Sequence, residues 1–194
     1  MSGNTQKVLL DSNAYFRLGN SIRPLLAQTF GSAPQYSLHV LAELDDEYAT
    51  SVRLRHKFEW VKETEYCADR KARRFELNGK KHQEAGNAFT FLLAYADEQG
   101  INLSREDLKA LAVGYVMGIP VVTDDGGMIE VATANGIECW STIKLLRIMQ
   151  TAGRIDLETV TQIIEYWDYD KDLPMSLPKL RKLYTDYFGS SCPI

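Results

Sequence analysis

The chain has 194 residues, 45% of them hydrophobic and 25% charged, the balance of one compact globular domain whose core needs no covalent staples. Its three cysteines, Cys67, Cys139 and Cys192, are odd in number and scattered, which excludes a disulfide framework and a paired CxxC zinc site. A net charge of −4, from 22 basic and 26 acidic residues, leaves any nucleic-acid role to local rather than global charge.

In chain order, Lys7-Val8-Leu9-Leu10 is a short apolar run ending in Asp11-Ser12-Asn13, the pattern of a buried strand that delivers polar residues at its carboxyl end. Tyr36 to Val40 reads as a second strand. It leads into a long helical stretch carrying Leu41, Leu44, Tyr48, Val52, Phe58 and Val61, which Gly79 interrupts. A further helix runs from about Lys81 to Gly100, with Ala88, Phe91, Leu92 and Tyr95 on its inner face. Ser104 restarts helix, with Leu108, Leu111, Ala112 and Tyr115 as the buried stripe. After Gly118-Ile-Pro120 comes a third strand, Val121-Val122-Thr123. A helix from about Met128 to Asn135 and a fourth strand from Ile137 to Trp140 follow. The remainder is helical: about Thr142 to Ala152, Asp156 to Trp167, and Ser176 to Phe188. Alternating helix and strand predicts an α/β fold, a parallel sheet covered on both faces. No repeat or linker argues for a second domain. The amino end has no basic segment followed by a long apolar stretch, and no window is long enough to cross a bilayer. With no disulfide pattern, the expectation is a reduced, cytoplasmic protein without membrane spans.

The functional crevice of an open parallel sheet lies beyond the carboxyl ends of its strands. In this sequence those positions are acidic: Asp11 after the first strand, Glu43 in the turn after the second, Asp124 and Asp125 after the third. Asp107 joins them by geometry. A helix from Asp107 to Met117 descends about 16 Å at ~1.5 Å per residue, and the strand from Pro120 to Asp124 climbs back by a similar amount at ~3.3 Å per residue. Each acid also has a plainer role. Asp107 completes a capping box with Ser104, Asp11 can cap a following helix, Glu43 can complement a helix dipole, and Asp-Gly is turn chemistry. Taken together, acids from four segments at one rim repel unless a cation is present, so at least one should have a raised pKa. Oxygen ligands without histidine or cysteine favour magnesium or manganese.

The run Val8 to Asn13, with its Asp-Ser-Asn ending, resembles the opening strand of PIN-domain nucleases. Glu43 matches that family's helix glutamate, and Asp107 through Asp125, with its glycine, apolar strand and Thr-x-Asp ending, matches the third and fourth acidic positions. The resemblance implies a three-layer α/β/α sandwich that hydrolyses RNA phosphodiesters with Mg²⁺ or Mn²⁺. Asp11, Glu43, Asp107 and Asp125 would be the catalytic metal ligands, with Ser12, Asn13, Thr123 and Asp124 in support. It places the core at about residues 6–142, a helical insertion at about 48–100 and a helical extension at about 143–190. Toxin-type members of the family make an antitoxin protein and a homodimer candidate assemblies beside the RNA substrate. The long insertion, the glycine pair after Asp125 and the extra helices depart from a minimal domain.

Basic residues cluster between Arg53 and Lys81, with Arg70, Lys71, Arg73 and Arg74 as the candidate RNA contacts, interleaved with Phe58, Trp60, Tyr66 and Phe75. The same stretch reads equally as a solvated face whose acids pair with these bases and whose aromatics belong to the core. His39, His56 and His82 lack partner spacing and read as core or surface residues. Two alternatives stand beside the hydrolase reading. One is a catalytically silent nucleic-acid-binding or regulatory module of the same fold. The other is a haloacid-dehalogenase-type phosphatase, which expects an aspartate where Asn13 stands.

Overall fold

The computed structural model describes residues 5–194. Four strands, β1 (Thr5–Leu10), β2 (Gln35–His39), β3 (Val121–Val122) and β4 (Cys139–Trp140), form one sheet in the order β2-β1-β3-β4. All three pairings are parallel, with Leu9 opposite both His39 and Val121, and Val122 opposite Trp140. The helices are α1 (Ser12–Ser21), α2 (Glu43–Thr50), α3 (Val52–Lys57), α4 (Thr64–Ala72), α5 (Gly79–Gln99), α6 (Arg105–Met117), α7 (Gly126–Ala134), α8 (Thr142–Thr151), α9 (Leu157–Tyr169) and α10 (Leu177–Phe188).

Alternation along the strands divides the core in two. Val8, Leu10, Leu38 and Val122 face a cluster completed by Phe16, Leu146, Ile164, Trp167 and Tyr184. Leu9 and Val121 face the opposite cluster, built with Leu92, Leu111, Met128 and Val131. The result is the expected three-layer α/β/α sandwich. Because β1 leads outward to β2 on one side while β3 leads to β4 on the other, the chain direction across the sheet reverses between β1 and β3, next to the carboxyl end of β1 that carries Asp11.

The expected single helix after Val40 is replaced by α2, α3, a 3-10 turn (Glu59–Lys62) and α4. Ser51 ends α2 and caps α3, its Oγ accepting from the Leu54 N–H. Beyond α4 the chain returns to the sheet, where Phe75 N–H donates to the Val40 carbonyl and Val40 bridges Arg74 in parallel. That edge pairing is a tertiary event, so apolar periodicity within 41–78 does not reveal it. Helix α5 starts at Gly79 rather than near Lys81, α7 starts at Gly126 rather than Met128, and β3 and β4 are shorter than expected. Two residues expected inside are outside: Phe91 is 58% exposed and Tyr115 56% exposed. The aromatics Phe58, Trp60 and Phe75 are buried. None of the helices among the described residues is long and apolar enough to cross a membrane.

Candidate functional site

Asp11 is the first residue past β1 and the N-cap of α1, where its Oδ1 accepts from the Ala14 N–H. It is 5% exposed. Burial is the main force lifting its carboxyl to a pKa of about 7; Asp124 and Asp107 add smaller repulsions, while the Thr123 hydroxyl and the Ala14 amide act against the rise. The expected raised pKa is therefore present, but desolvation leads and mutual repulsion follows. Glu43 opens α2, and its Oε1 accepts a charged hydrogen bond from Lys109 Nζ at 2.9 Å. Burial works to raise Glu43, yet Lys109 and, more weakly, Arg74 outweigh it and leave the carboxyl below its ordinary value.

Asp107 sits at the third position of α6 in a complete capping box. Its Oδ2 accepts from the Ser104 N–H at 3.0 Å, and its own N–H donates to Ser104 Oγ at 3.0 Å. Asp125 is exposed and caps α7, accepting from the Met128 N–H at 2.8 Å, while its N–H donates to the buried Thr123 hydroxyl at 3.1 Å. Asp124 turns the other way, into the fold. Its oxygens accept from the Thr142 N–H and hydroxyl at 3.0 and 2.7 Å, and Arg17 Nη1 stands 3.4 Å away. Burial raises Asp124, with Thr142 and Arg17 opposing.

Asp11, Ser12, Glu43, Glu106 and Asp107 line one small cleft of about 20 Å³, with room for a water or a single bare cation. Asp125 is not among its lining residues. The donor chemistry suits a hard divalent ion, and the cleft is ion-sized. Among the described residues, however, no group of three or more acids, histidines or cysteines stands close enough to share a metal as placed. Asp11, Asp107 and Asp125 are instead each held by the N-terminus of their own helix, and Glu43 by an ammonium group.

The basic stretch between Arg53 and Lys81 is largely spent on the fold. Arg70 is 4% exposed; its Nε donates to Asp45 Oδ1 at 2.7 Å and its Nη1 to the Tyr15 hydroxyl at 3.2 Å. Arg73 donates to the carbonyls of Leu26 and Ala27, and Arg74 pairs with Asp45 at 2.8 Å. Only Lys71 of the four faces solvent fully. Arg70 therefore leaves the expected set of RNA contacts, since a buried guanidinium cannot reach a phosphate outside. His39 is a core residue, its ring bonded to Ser37 Oγ at 3.0 Å and the Arg73 carbonyl at 3.1 Å. Asn13 lies exposed on the first turn of α1. Lys109, Glu106 and Arg17 were not singled out from the sequence. Lys109 meets Glu43 across 66 residues of sequence, a pairing that no local spacing signals.

The sequence matches no protein-family model and no curated protein. Among solved structures, the chain is similar to one described as FitAcB from Neisseria gonorrhoeae, with 13% identity, a TM-score of 0.45, and coverage of 70% of this chain and 97% of that one.

Proposed function

We propose that this protein is a PIN-like, metal-dependent phosphodiester hydrolase acting on RNA as an endoribonuclease. The observation that carries the reading is the convergence of Asp11, Glu43 and Asp107 on one ion-sized cleft beyond the carboxyl ends of β1 and β2, at the start of α6. Those three would hold Mg²⁺ or Mn²⁺, with Asp125 flanking. When bound, such an ion supplies an acidified water and neutralises charge on the phosphate. The chain's own contribution is positional. β1 and the start of α1 fix Asp11 in a dry setting, the Ser104 box fixes Asp107, Lys109 holds Glu43 in its ionised form, and Thr123 sets the turn that presents Asp125. The toxin role, an antitoxin partner and a homodimer rest on the sequence resemblance.

A second reading, the catalytically silent nucleic-acid module, is favoured by one observation: every one of the four acids already has a structural bond that accounts for it. One experiment separates the two. Purified protein is incubated with single-stranded RNA and either Mn²⁺, Mg²⁺ or EDTA, beside Asp11→Asn and Asp107→Asn prepared identically. The hydrolase reading expects metal-dependent cleavage that falls at least a hundredfold in both variants while their melting curves remain cooperative. Equal cleavage in all three preparations overturns it.

A further inference from the structure

A second and larger cavity, of about 380 Å³, opens beside the carboxylate cleft and shares Leu41 and Glu43 with it. That size falls in the ordinary range of small-molecule sites. Phe75 lies buried on one side and Phe89, half-buried on α5, on another. Arg105 and Lys109 stand on the α6 side. The Arg105 guanidinium lies 5.7 Å from the Phe89 ring centroid, so that ring already accepts a flat cationic partner. Gly86 keeps the space open. It sits inside the 21-residue helix α5, where glycine weakens a helix, and a Cβ built there meets no atom within 4 Å.

Aromatic side walls, a cationic rim and continuity with a row of carboxylates together select a ligand that is flat and apolar at one end and anionic at the other. We infer that this cavity binds one unstacked nucleobase of a single-stranded RNA, with Arg105 and Lys109 receiving the adjoining phosphate. Bases stack on aromatic side chains whatever their sequence, and an arginine or lysine at the rim pairs with the backbone. Lys109 spends one of its three donors on Glu43, leaving two to meet a phosphate oxygen. Seated so, the nucleotide brings its next phosphate to the cleft holding Asp11 and Asp107. The inference rests on the reading of that adjoining cleft as a nucleic-acid site, and it adds the element that recognises the substrate.

The test is a binding titration in EDTA, followed by fluorescence anisotropy. Labelled hexaadenylate RNA is compared with a hexamer of abasic ribose of the same charge. The parent protein should bind hexaadenylate at least tenfold more tightly. Gly86→Trp, which fills the cavity and removes a helix-weakening glycine, should reduce that preference below twofold with a melting temperature no lower than the parent's. Phe89→Leu, which keeps apolar bulk and loses the ring, should weaken hexaadenylate several-fold and leave the abasic hexamer unchanged. Equal binding of the two hexamers by the parent, or a preference untouched in both variants, overturns the inference and points to a cavity that reads no base. No cleavage is measured in EDTA. A base preference lost in Gly86→Trp alongside absent metal-dependent cleavage upholds the cavity and overturns the hydrolase; cleavage without base preference does the reverse.

Discussion

Asp11 and His39 end neighbouring strands and titrate against each other in their effect on stability. Burial lifts Asp11 to about 7, so between about pH 4 and 7 the native state holds a proton that the unfolded chain has released. Stability contributed this way falls as pH rises through that window. His39 is depressed to about 4, by burial first and then by the charges of Lys7 and Arg73, so below its ordinary value the unfolded chain takes up a proton that the native state refuses. Its contribution falls as pH drops. With one proton on each side, the two slopes oppose, and urea-unfolding stability should change little between pH 4.5 and 6.5. Asp11→Asn, which keeps an N-cap oxygen, should expose the histidine's slope as a loss of stability on acidification. At pH 8 the same variant should be more stable than the parent, because no buried charge is left at that position. A flat profile retained in Asp11→Asn would mean that neither group is as desolvated as its position implies.

At the level of elements, Arg70 shows how a surface-looking residue becomes structural. Its charge is satisfied by Asp45 from α2 and by Tyr15 from α1, so it fastens α4 to both. Arg70→Gln should cost about 2 kcal/mol, because buried groups lose their charged partner, whereas Lys71→Gln should cost almost nothing. Chemical denaturation of the two variants gives the comparison directly. A four-site change at Arg70, Lys71, Arg73 and Arg74 would accordingly measure the docking of α4 before it measured RNA affinity. The strands, the caps at Asp11 and Ser104, and the acid-bearing strand ends are legible because each depends on local pattern and short-range hydrogen bonds. The path through residues 41–78 was not, because Arg70 depends on partners from α1 and α2 and Arg74 on the sheet edge. For the same reason, alternating charge in one segment could not show which bases are consumed internally. The cavity beside Glu43 was equally illegible, since Gly86 reads as a helix weakness until Phe75 arrives from another segment to face it.

On the scale of the molecule, α8, α9 and α10 share one core with β1. Leu146, Ile164, Trp167, Leu180 and Tyr184 cluster with Val8 and Leu10, and Trp167 Nε1 donates to Ser21 Oγ at 3.2 Å. The helices expected as an extension therefore close a face of the sheet. A chain ending at Gly153 should be aggregated or molten, judged by loss of a cooperative thermal transition, while removal of the last few residues after Gly189 should leave one. Ion pairs add a second tie: Arg17 reaches both Asp124 and Asp172, and Lys57 reaches Asp170 and Asp172. The Lys57 pairs are partly exposed, so their contribution should shrink in high salt, while the buried Arg17–Asp124 pair is screened less.

The position of β1 within the sheet has a consequence for how the protein is made. It is the first of the four strands to leave the ribosome, yet it is an interior strand, and one of its edges waits for Val121 and Val122. At roughly 5–20 residues per second, synthesis leaves that edge without its partner for on the order of ten seconds. During that interval Val8, Leu9 and Leu10 can pair only with β2 and lie open to any other extended segment. Newly made chains should therefore need shielding by a holding chaperone until the second half emerges, and yields of active protein should respond to translation speed more than the stability of the finished fold would suggest.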